Sequence, residues 1–455
     1  MDVVAGSKAE LNLVRSLRDY LSSLGFTVKL HPVEVVSWNE VECLINGSIP
    51  CTAQPPQRSA YVSGILGREF LLTPTTGDPD NMWIVHGKAG REGYKAVIFY
   101  DSYPDVKKRR IVLTGELSYS MKSRVKDDVL GVHVPLDVGL KLKELQGKLI
   151  DIEVKTNKTL SVGYNLEATC GENPKITLAA HHDRWLNGFR DDVNGLLVLL
   201  KLAKRLSEKS SYSVRIMSFT AEEYGDPEEP MLYWAYGSRT YFSRYKEVFD
   251  DNLLFVVIDT AFTEPVELSY IGLDERIGSY IALSTVESDT GIAYTDALSV
   301  LEVAVPTIVL HNLHAIKPVY HSDKDVFIPT VNQFNEKIVN SLMKLVELAN
   351  LKKQEVINMT SNYILKHVKH VETADPLRTF KCFVKHMLLV VNKGSYDELN
   401  SELAVMACDD LKNRAGQVFT LLKDDTKITT NSTQFKEFYS HIIREFVECL
   451  ASDKR

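Results

Sequence analysis

The chain has little of what marks a membrane, nucleic-acid-binding or extracellular protein. No apolar run approaches the roughly 20 residues that cross a bilayer. The opening stretch MDVVAGSKAELNLVRSLRDYL lacks a basic start followed by an apolar core. It reads as an amphipathic helix and not a secretory leader, so a cytoplasmic location is expected. Basic residues are outnumbered, 53 Lys and Arg against 60 Asp and Glu, for a net charge of -7, which argues against a nucleic-acid surface. The only dense basic run, VKKRR at residues 106–110, reads as a solvated turn. Cysteine is scarce as well. Cys43, Cys51, Cys170, Cys382, Cys408 and Cys449 form no Cys-x-x-Cys pair, so they read as buried thiols and not as a zinc knuckle or disulfide framework.

What is there is enough for several domains, since 455 residues exceed one ordinary core. Leu11, Val14, Leu17, Leu21 and Leu24 recur at helical spacing, predicting a helix over 8–25. Residues 46–157 then carry short β-like runs (YVSGIL, MWIVHG, KAVIFYD, RIVLTG, LIDIEV) between turn residues, with one short helix, PLDVGLKLKELQG. They read as a small β-rich insert. Residues 158–352 alternate strands (KITLAA, SVRIMSFTA, NLLFVVIDTA, PTIVLHN) with helices at 195–207 and 335–351, the pattern of an α/β domain with a mostly parallel sheet. The expected organisation is therefore a domain from 1–45 and 158–352, an insert at 46–157, and a helical extension at 353–455.

Acidic and imidazole side chains gather just past the strand ends of the α/β domain, where such sheets bind ligands. After KITLAA come His181, His182, Asp183, Asp191 and Asp192. After SVRIMSFTA come Glu222 and Glu223, after NLLFVVI comes Asp259, and after PTIVLHN comes PVYHSDKD with Tyr320 and His321. Each cluster alone has an ordinary structural reading as a hydrogen-bonded pair, a solvated helix start or a helix cap. Four such clusters at the exits of one sheet point to a common cause. Two divalent metals bridged by a carboxylate would be one, since zinc takes imidazole and carboxylate ligands and leaves a position for water.

The set HHD, GFRDDVNG, TAEEYG, VVIDTA and PVYHSDKD resembles metallopeptidase family 28, the two-zinc aminopeptidases with their glutamate-carboxypeptidase and transferrin-receptor relatives. AGSKAE near the start is similar to the family's opening helix, and the insert resembles its protease-associated domain. The resemblance implies a mixed sheet sandwiched by helices and a site for two zinc ions. It implies His181 and Asp259 on one ion, Glu223 and His321 on the other, and Asp191 between them. It implies Glu222 as general base, Tyr320 as stabiliser of the oxyanion, and Asp183 as the partner orienting the His181 ring, with His182 structural. It also implies a cis peptide between Asp191 and Asp192. The substrate would be a peptide, with neither nucleic acid nor membrane as partner, and the helical tail is a candidate surface for homo-oligomers.

The sequence departs from the family in two places. The Asp-Asp pair lies one residue later between Gly188 and Gly195, which leaves open which aspartate bridges. The Gly-Ser that usually follows Glu-Glu closely is delayed to Gly237 and Ser238 by a loop holding Asp226, Glu228, Glu229, Trp234 and Tyr236. An acidic rim there would suit a substrate ammonium, whereas Arg184 and Arg190 would suit a carboxylate. An aminopeptidase is the expectation and a carboxypeptidase or dipeptidase the alternative. A non-catalytic receptor-like homologue and a single-zinc acyltransferase like the glutaminyl cyclases are rivals of another class.

Overall fold

A computed structural model describes residues 2–75, 79–111, 129–209, 212–229, 233–288, 290–292, 294–367, 375–382 and 384. Most of the tail assigned to 353–455 lies outside the described residues, as does the RIVLTG run beyond Ile111.

Among the described residues the main sheet has ten strands. At its centre Thr307–His311, Leu254–Ile258, Ile176–His181 and Val214–Phe219 lie side by side and parallel. Antiparallel strands flank them: Val266–Ile271 on one side, Leu149–Cys170 and then Thr27–Ile45 on the other. The core follows from period-2 alternation in strands buried on both faces. Leu178, Ala180, Ile216, Val256 and Ile258 face one way, against helices Lys8–Ser23, Asn194–Ser207 and Val331–Leu351. Ala179, Met217, Phe255 and Val257 face the other way, against helix Tyr236–Arg244 and the Tyr363, Ile364 and Phe380 side chains. The architecture is a mixed α/β sandwich, as the resemblance implies, and the mostly parallel arrangement read from the residue pattern holds for the four central strands.

Register places the parallel strand ends together. Phe219 pairs with His181, and Ile258 with Leu310, so the four chains leave the sheet along one edge. The opening helix is held against the same strands. Ser7 caps it by accepting from the Glu10 amide at 3.1 Å, and Glu10 in turn accepts from Gly6 N at 2.6 Å. Glu10 is fully buried and also takes the His182 Nε2 contact at 3.1 Å and a hydrogen bond from Thr220. His182 is thus consumed behind the sheet.

A second, four-stranded sheet collects Phe70–Pro74, Ala96–Tyr100, Leu130–Val134 and Thr52–Ala53. It lies beside the long ribbon of Thr27–Ile45 and Leu149–Cys170, which belongs to the main sheet and pairs from Thr27–Thr169 to Ile45–Ile152 with one register shift between Glu40 and Glu42. Two expectations are corrected here. MWIVHG is helical, within Pro79–Arg91, because Met82, His86 and Ala89 bury one face at spacings of four and three, a helical period that outweighs the β-prone residues. Cys43 and Cys51 are joined in a disulfide, because the hairpin that starts at Ile45 brings their Cα atoms to 5.0 Å. Such a bond is rare in reducing compartments, so it does not support the cytoplasmic expectation. No helix among the described residues is long and apolar enough to cross a membrane.

Candidate metal centre

His181 ends its strand, and its ring nitrogens are oriented by what they touch. Nδ1 donates to the Asp183 carbonyl at 2.9 Å, so Nε2 is the nitrogen turned into the centre, hydrogen-bonded to Asp191 Oδ1 at 3.1 Å and 3.9 Å from Asp259 Oδ2. On the other side His321 Nε2 lies 2.9 Å from Glu223 Oε2 and 3.2 Å from Asp191 Oδ2, without hydrogen-bond alignment to either. Donor atoms of His181, Asp191 and Asp259 fall within 4.8 Å of one another, and so do those of Asp191, Glu223 and His321. Asp191 is the residue common to both sets. Asp192 is not in either, because its carboxylate turns back to cap the next helix, accepting from Gly195 N at 3.1 Å. A Cβ on Gly195 would sit 2.3 Å from that carboxylate, so the close approach needs glycine. The Asp191–Asp192 peptide is cis.

The turns bearing these donors are clamped by neighbouring carboxylates. Asp183 does not orient the His181 ring with its carboxylate, which lies 3.8 Å from Nδ1. Its two oxygens instead accept from the amides of Glu222 and Glu223, each at 3.0 Å. Asp325, from the segment that carries His321, accepts from the amides of Arg190 and Asp191 at 3.0 and 3.3 Å. Ala221, Thr260 and His321 all have φ near 50°, in the left-handed region that non-glycine residues seldom adopt, at three of the four exits. Asp325 had no role in the sequence reading, although it stands in the same PVYHSDKD stretch.

Electrostatically the centre is overloaded. Asp183, Asp191, Asp192, Glu222, Glu223, Asp259 and Asp296 are all buried, against the imidazoles of His181 and His321. Burial raises Asp192, Glu222, Glu223 and Asp259 above the ordinary carboxylate range, with their neighbours' charges adding to it, and pushes Asp183 up to about 8. Asp191 goes the other way: burial would raise it, but the two facing imidazoles outweigh that and hold it low. Desolvation works against the charged form of His321, yet Glu223 and Asp191 raise it to about 9. Asp191 Oδ2 and Glu223 Oε1 have no hydrogen-bond partner. Such a set is satisfied by cations, and mixed imidazole and carboxylate donors suit zinc. The donor set therefore fits two divalent ions.

The family model of Peptidase family M28 matches residues 164–343. The chain carries an M28 peptidase domain. That makes it a metallopeptidase, with the donors lying inside the matched segment. A zinc aminopeptidase from Bacillus subtilis is 17% identical, covering 75% of this chain and 90% of its own, with a TM-score of 0.56. A peptidase M28 precursor from Shewanella amazonensis SB2B is 15% identical over 77% and 89%, with a TM-score of 0.57. An aminopeptidase from Aneurinibacillus sp. strain AM-1 is 19% identical over 77% and 90%, with a TM-score of 0.50. At these identities the likeness is one of fold. No curated protein matches the chain in sequence.

Around the M28 centre, several side chains singled out in the sequence have other duties. Asp226 pairs with Arg239 at 3.2 Å, and Glu229 binds Lys158 and accepts from Tyr224 at 2.6 Å, so this rim is engaged within the protein. Arg190 lies over Phe262 and reaches Asp325. The VKKRR run is no solvated turn: Lys108, Arg109 and Arg110 are buried. Lys108 pairs with Asp101 at 2.7 Å, and Arg109 pairs with Asp2 and Glu40 beside Trp38. Arg109 N also donates to the His321 carbonyl at 2.9 Å, and Arg110 covers the Tyr320 ring at 4.8 Å. Tyr320 stacks on His321, with ring centroids 3.8 Å apart.

Proposed function

We propose that the chain is a two-metal exopeptidase acting at the amino end of peptides. The observation that carries this reading is the position of Asp191, shared by two donor sets that have no other member in common. A single-zinc acyltransferase would have no use for the second set. His181 and Asp259 would hold one ion, Glu223 and His321 the other, and Asp191 would bridge. The bound ions would supply an activated water and polarise the scissile carbonyl.

The chain's own residues do the rest. Glu222 is buried, adjoins a donor and belongs to neither donor set, which suits it to accept the proton of the attacking water and pass it to the leaving amine. Burial keeps its proton affinity high, and nearby divalent cations would bring it back toward neutrality. Tyr320, fixed between Arg110 and His321, can donate its hydroxyl to the carbonyl oxygen. Asp183 keeps the Glu222–Glu223 turn in register. Solved structures of similar fold that are aminopeptidases favour amino-end over carboxyl-end trimming. Residues 46–157 act in this reading as an inserted module, and 353–455 as an extension.

The test pairs metal content with hydrolysis of unblocked and N-acetylated dipeptides. Glu222→Gln should keep two ions per chain and lower kcat by roughly 10²–10⁴-fold, while Glu223→Gln should lose metal. Near-parental turnover in Glu222→Gln, or one ion per parent chain, would overturn the assignment.

A further inference from the structure

The dense basic run at residues 106–110 is tied to the segment that carries the metal donor His321. Lys108 and Ser322 form an antiparallel bridge, in which Arg109 N donates to the His321 carbonyl at 2.9 Å and Asp323 N to the Lys107 carbonyl at 3.1 Å. Lys107 N donates in turn to Asp323 Oδ1 at 3.1 Å. Residues 107–110 are thus laid along 321–323 as a short strand. Gln54, fully buried, fixes that strand from its other edge. Its Nε2 donates to the Lys108 carbonyl at 2.9 Å, and its Oε1 accepts from Arg110 N at 2.6 Å.

The three basic side chains of this strand go separate ways. Lys108 pairs with Asp101 at 2.7 Å and Arg109 with Glu40 at 3.0 Å, neither of them a metal donor. Arg110 falls opposite Tyr320 in the register of the bridge, and its guanidinium carbon stands 4.8 Å from the Tyr320 ring centroid. Arg110 is only 8% exposed, so the contact is made largely out of water, where a cation over an aromatic face is worth most. The same ring meets the His321 imidazole and leans on the main apolar core. The described residues give the Tyr320 hydroxyl no hydrogen bond, so the contacts of the ring decide where that hydroxyl lies.

We propose that Arg110 is a positioning residue for Tyr320: its guanidinium, carried on the strand that Gln54 straps, holds the ring where the hydroxyl meets the carbonyl oxygen of the substrate. This rests on the oxyanion role given to Tyr320 above and adds to it the residue through which the module of residues 46–157 acts on turnover. Arg110 works through the ring and does not itself touch the reacting atoms. The benefit falls in the transition state, because the carbonyl oxygen takes up charge, and so calls on the hydroxyl, only as the water attacks. Losing the contact should therefore lower kcat and leave KM nearly alone.

A cycle of variants in the metal-loaded, full-length protein tests it. Arg110→Met removes the cation at similar length. It should keep two ions per chain and a near-parental KM for unblocked dipeptides, and lower kcat roughly five- to thirtyfold, as loss of a desolvated cation–π contact implies. Arg110→Lys, which keeps the cation, should recover most of that loss. In a Tyr320→Phe background, which lacks the hydroxyl, Arg110→Met should cause almost no further loss, because both changes act through one group. Losses in kcat that multiply independently would overturn the inference. So would parental kcat in Arg110→Met, a change confined to KM, which marks an arginine that binds substrate itself, or loss of an ion, which marks a prop of the metal centre. Arg110→Gln takes the place of Arg110→Met if that variant does not fold. Parental kcat in Tyr320→Phe would refute the oxyanion role and the inference with it, and would leave the two-metal reading standing.

Discussion

Replacing Asp183 by Asn separates two accounts of the centre. The carboxylate accepts from the Glu222 and Glu223 amides, each at 3.0 Å, in a fully buried position. Asparagine can offer its oxygen to one amide only, and turns an N–H₂ toward the other. The bond that survives falls from charge-assisted to neutral, a loss of about 1 kcal/mol, and the orphaned buried N–H adds about 1–3 kcal/mol. The sum, about 2–4 kcal/mol, corresponds to roughly 30- to 1000-fold in the population of the native turn. Because that turn carries both the general base and a donor, kcat should drop by up to that factor and the ion held by Glu223 and His321 should bind more weakly. The ion held by His181 and Asp259 should be little affected, since the His181 ring is held by the Asp183 carbonyl, which the substitution leaves in place. Had the carboxylate oriented the imidazole, the loss would be about 10–100-fold in affinity on the His181 side instead. Titrating metal into apo Asp183→Asn, followed by steady-state kinetics, distinguishes the two. A variant with parental kcat that weakens only the His181 side would refute the clamp.

Two further outcomes are expected. The metal-free protein should lose stability as pH rises, because Asp325, pushed up to about 7, Asp183, up to about 8, and His321, up to about 9, hold protons in the fold that the unfolded chain releases at lower pH. Its melting temperature should fall from about pH 5 to about pH 9, and added metal should stabilise more at the alkaline end; a melting temperature that climbs with pH in the apo protein would contradict the charge assignment. Replacing residues 46–158 by a short linker should weaken the His321-side ion while sparing the His181 side, since the segment supplies the Arg109 amide to the His321 carbonyl and exchanges backbone and side-chain bonds with Asp323. Two unchanged affinities in calorimetry would show those contacts to be idle.

The pattern of strands and their acidic exits was legible because both are local. Ile176–His181 and Leu254–Ile258 are continuous apolar runs, and residues placed just beyond their ends inherit a common edge from the register. What escaped was set by partners distant in the chain. Arg190 and Asp325, which meet at 3.0 Å, are 135 residues apart, and the buried charges of Lys108 and Arg109 are matched by Asp101, Asp2 and Glu40, which no local pattern associates with them. The Cys43–Cys51 bond was hidden for a different reason. A separation of eight has no motif of its own, and only the hairpin register makes it short. For Asp183 the family resemblance implied a ligand-orienting role, but the exits of two strands converge there and the amides of the Glu222 turn take the carboxylate.

Spreading the donors over four strand exits has a kinetic consequence. His181, Asp191 and Asp259 come together only once Ile176–His181 pairs with Leu254–Ile258, and Asp191, Glu223 and His321 only once Ile176–His181, Val214–Phe219 and Thr307–His311 share one sheet. A full donor set therefore exists only after strands distant in the chain have paired, unlike the closely spaced ligands of a small zinc module. The buried carboxylates must first be brought together without an ion, at their least favourable. Metal added during refolding should leave the folding rate nearly unchanged and slow unfolding instead, so that the bound ions act as a late lock on a fold reached in their absence.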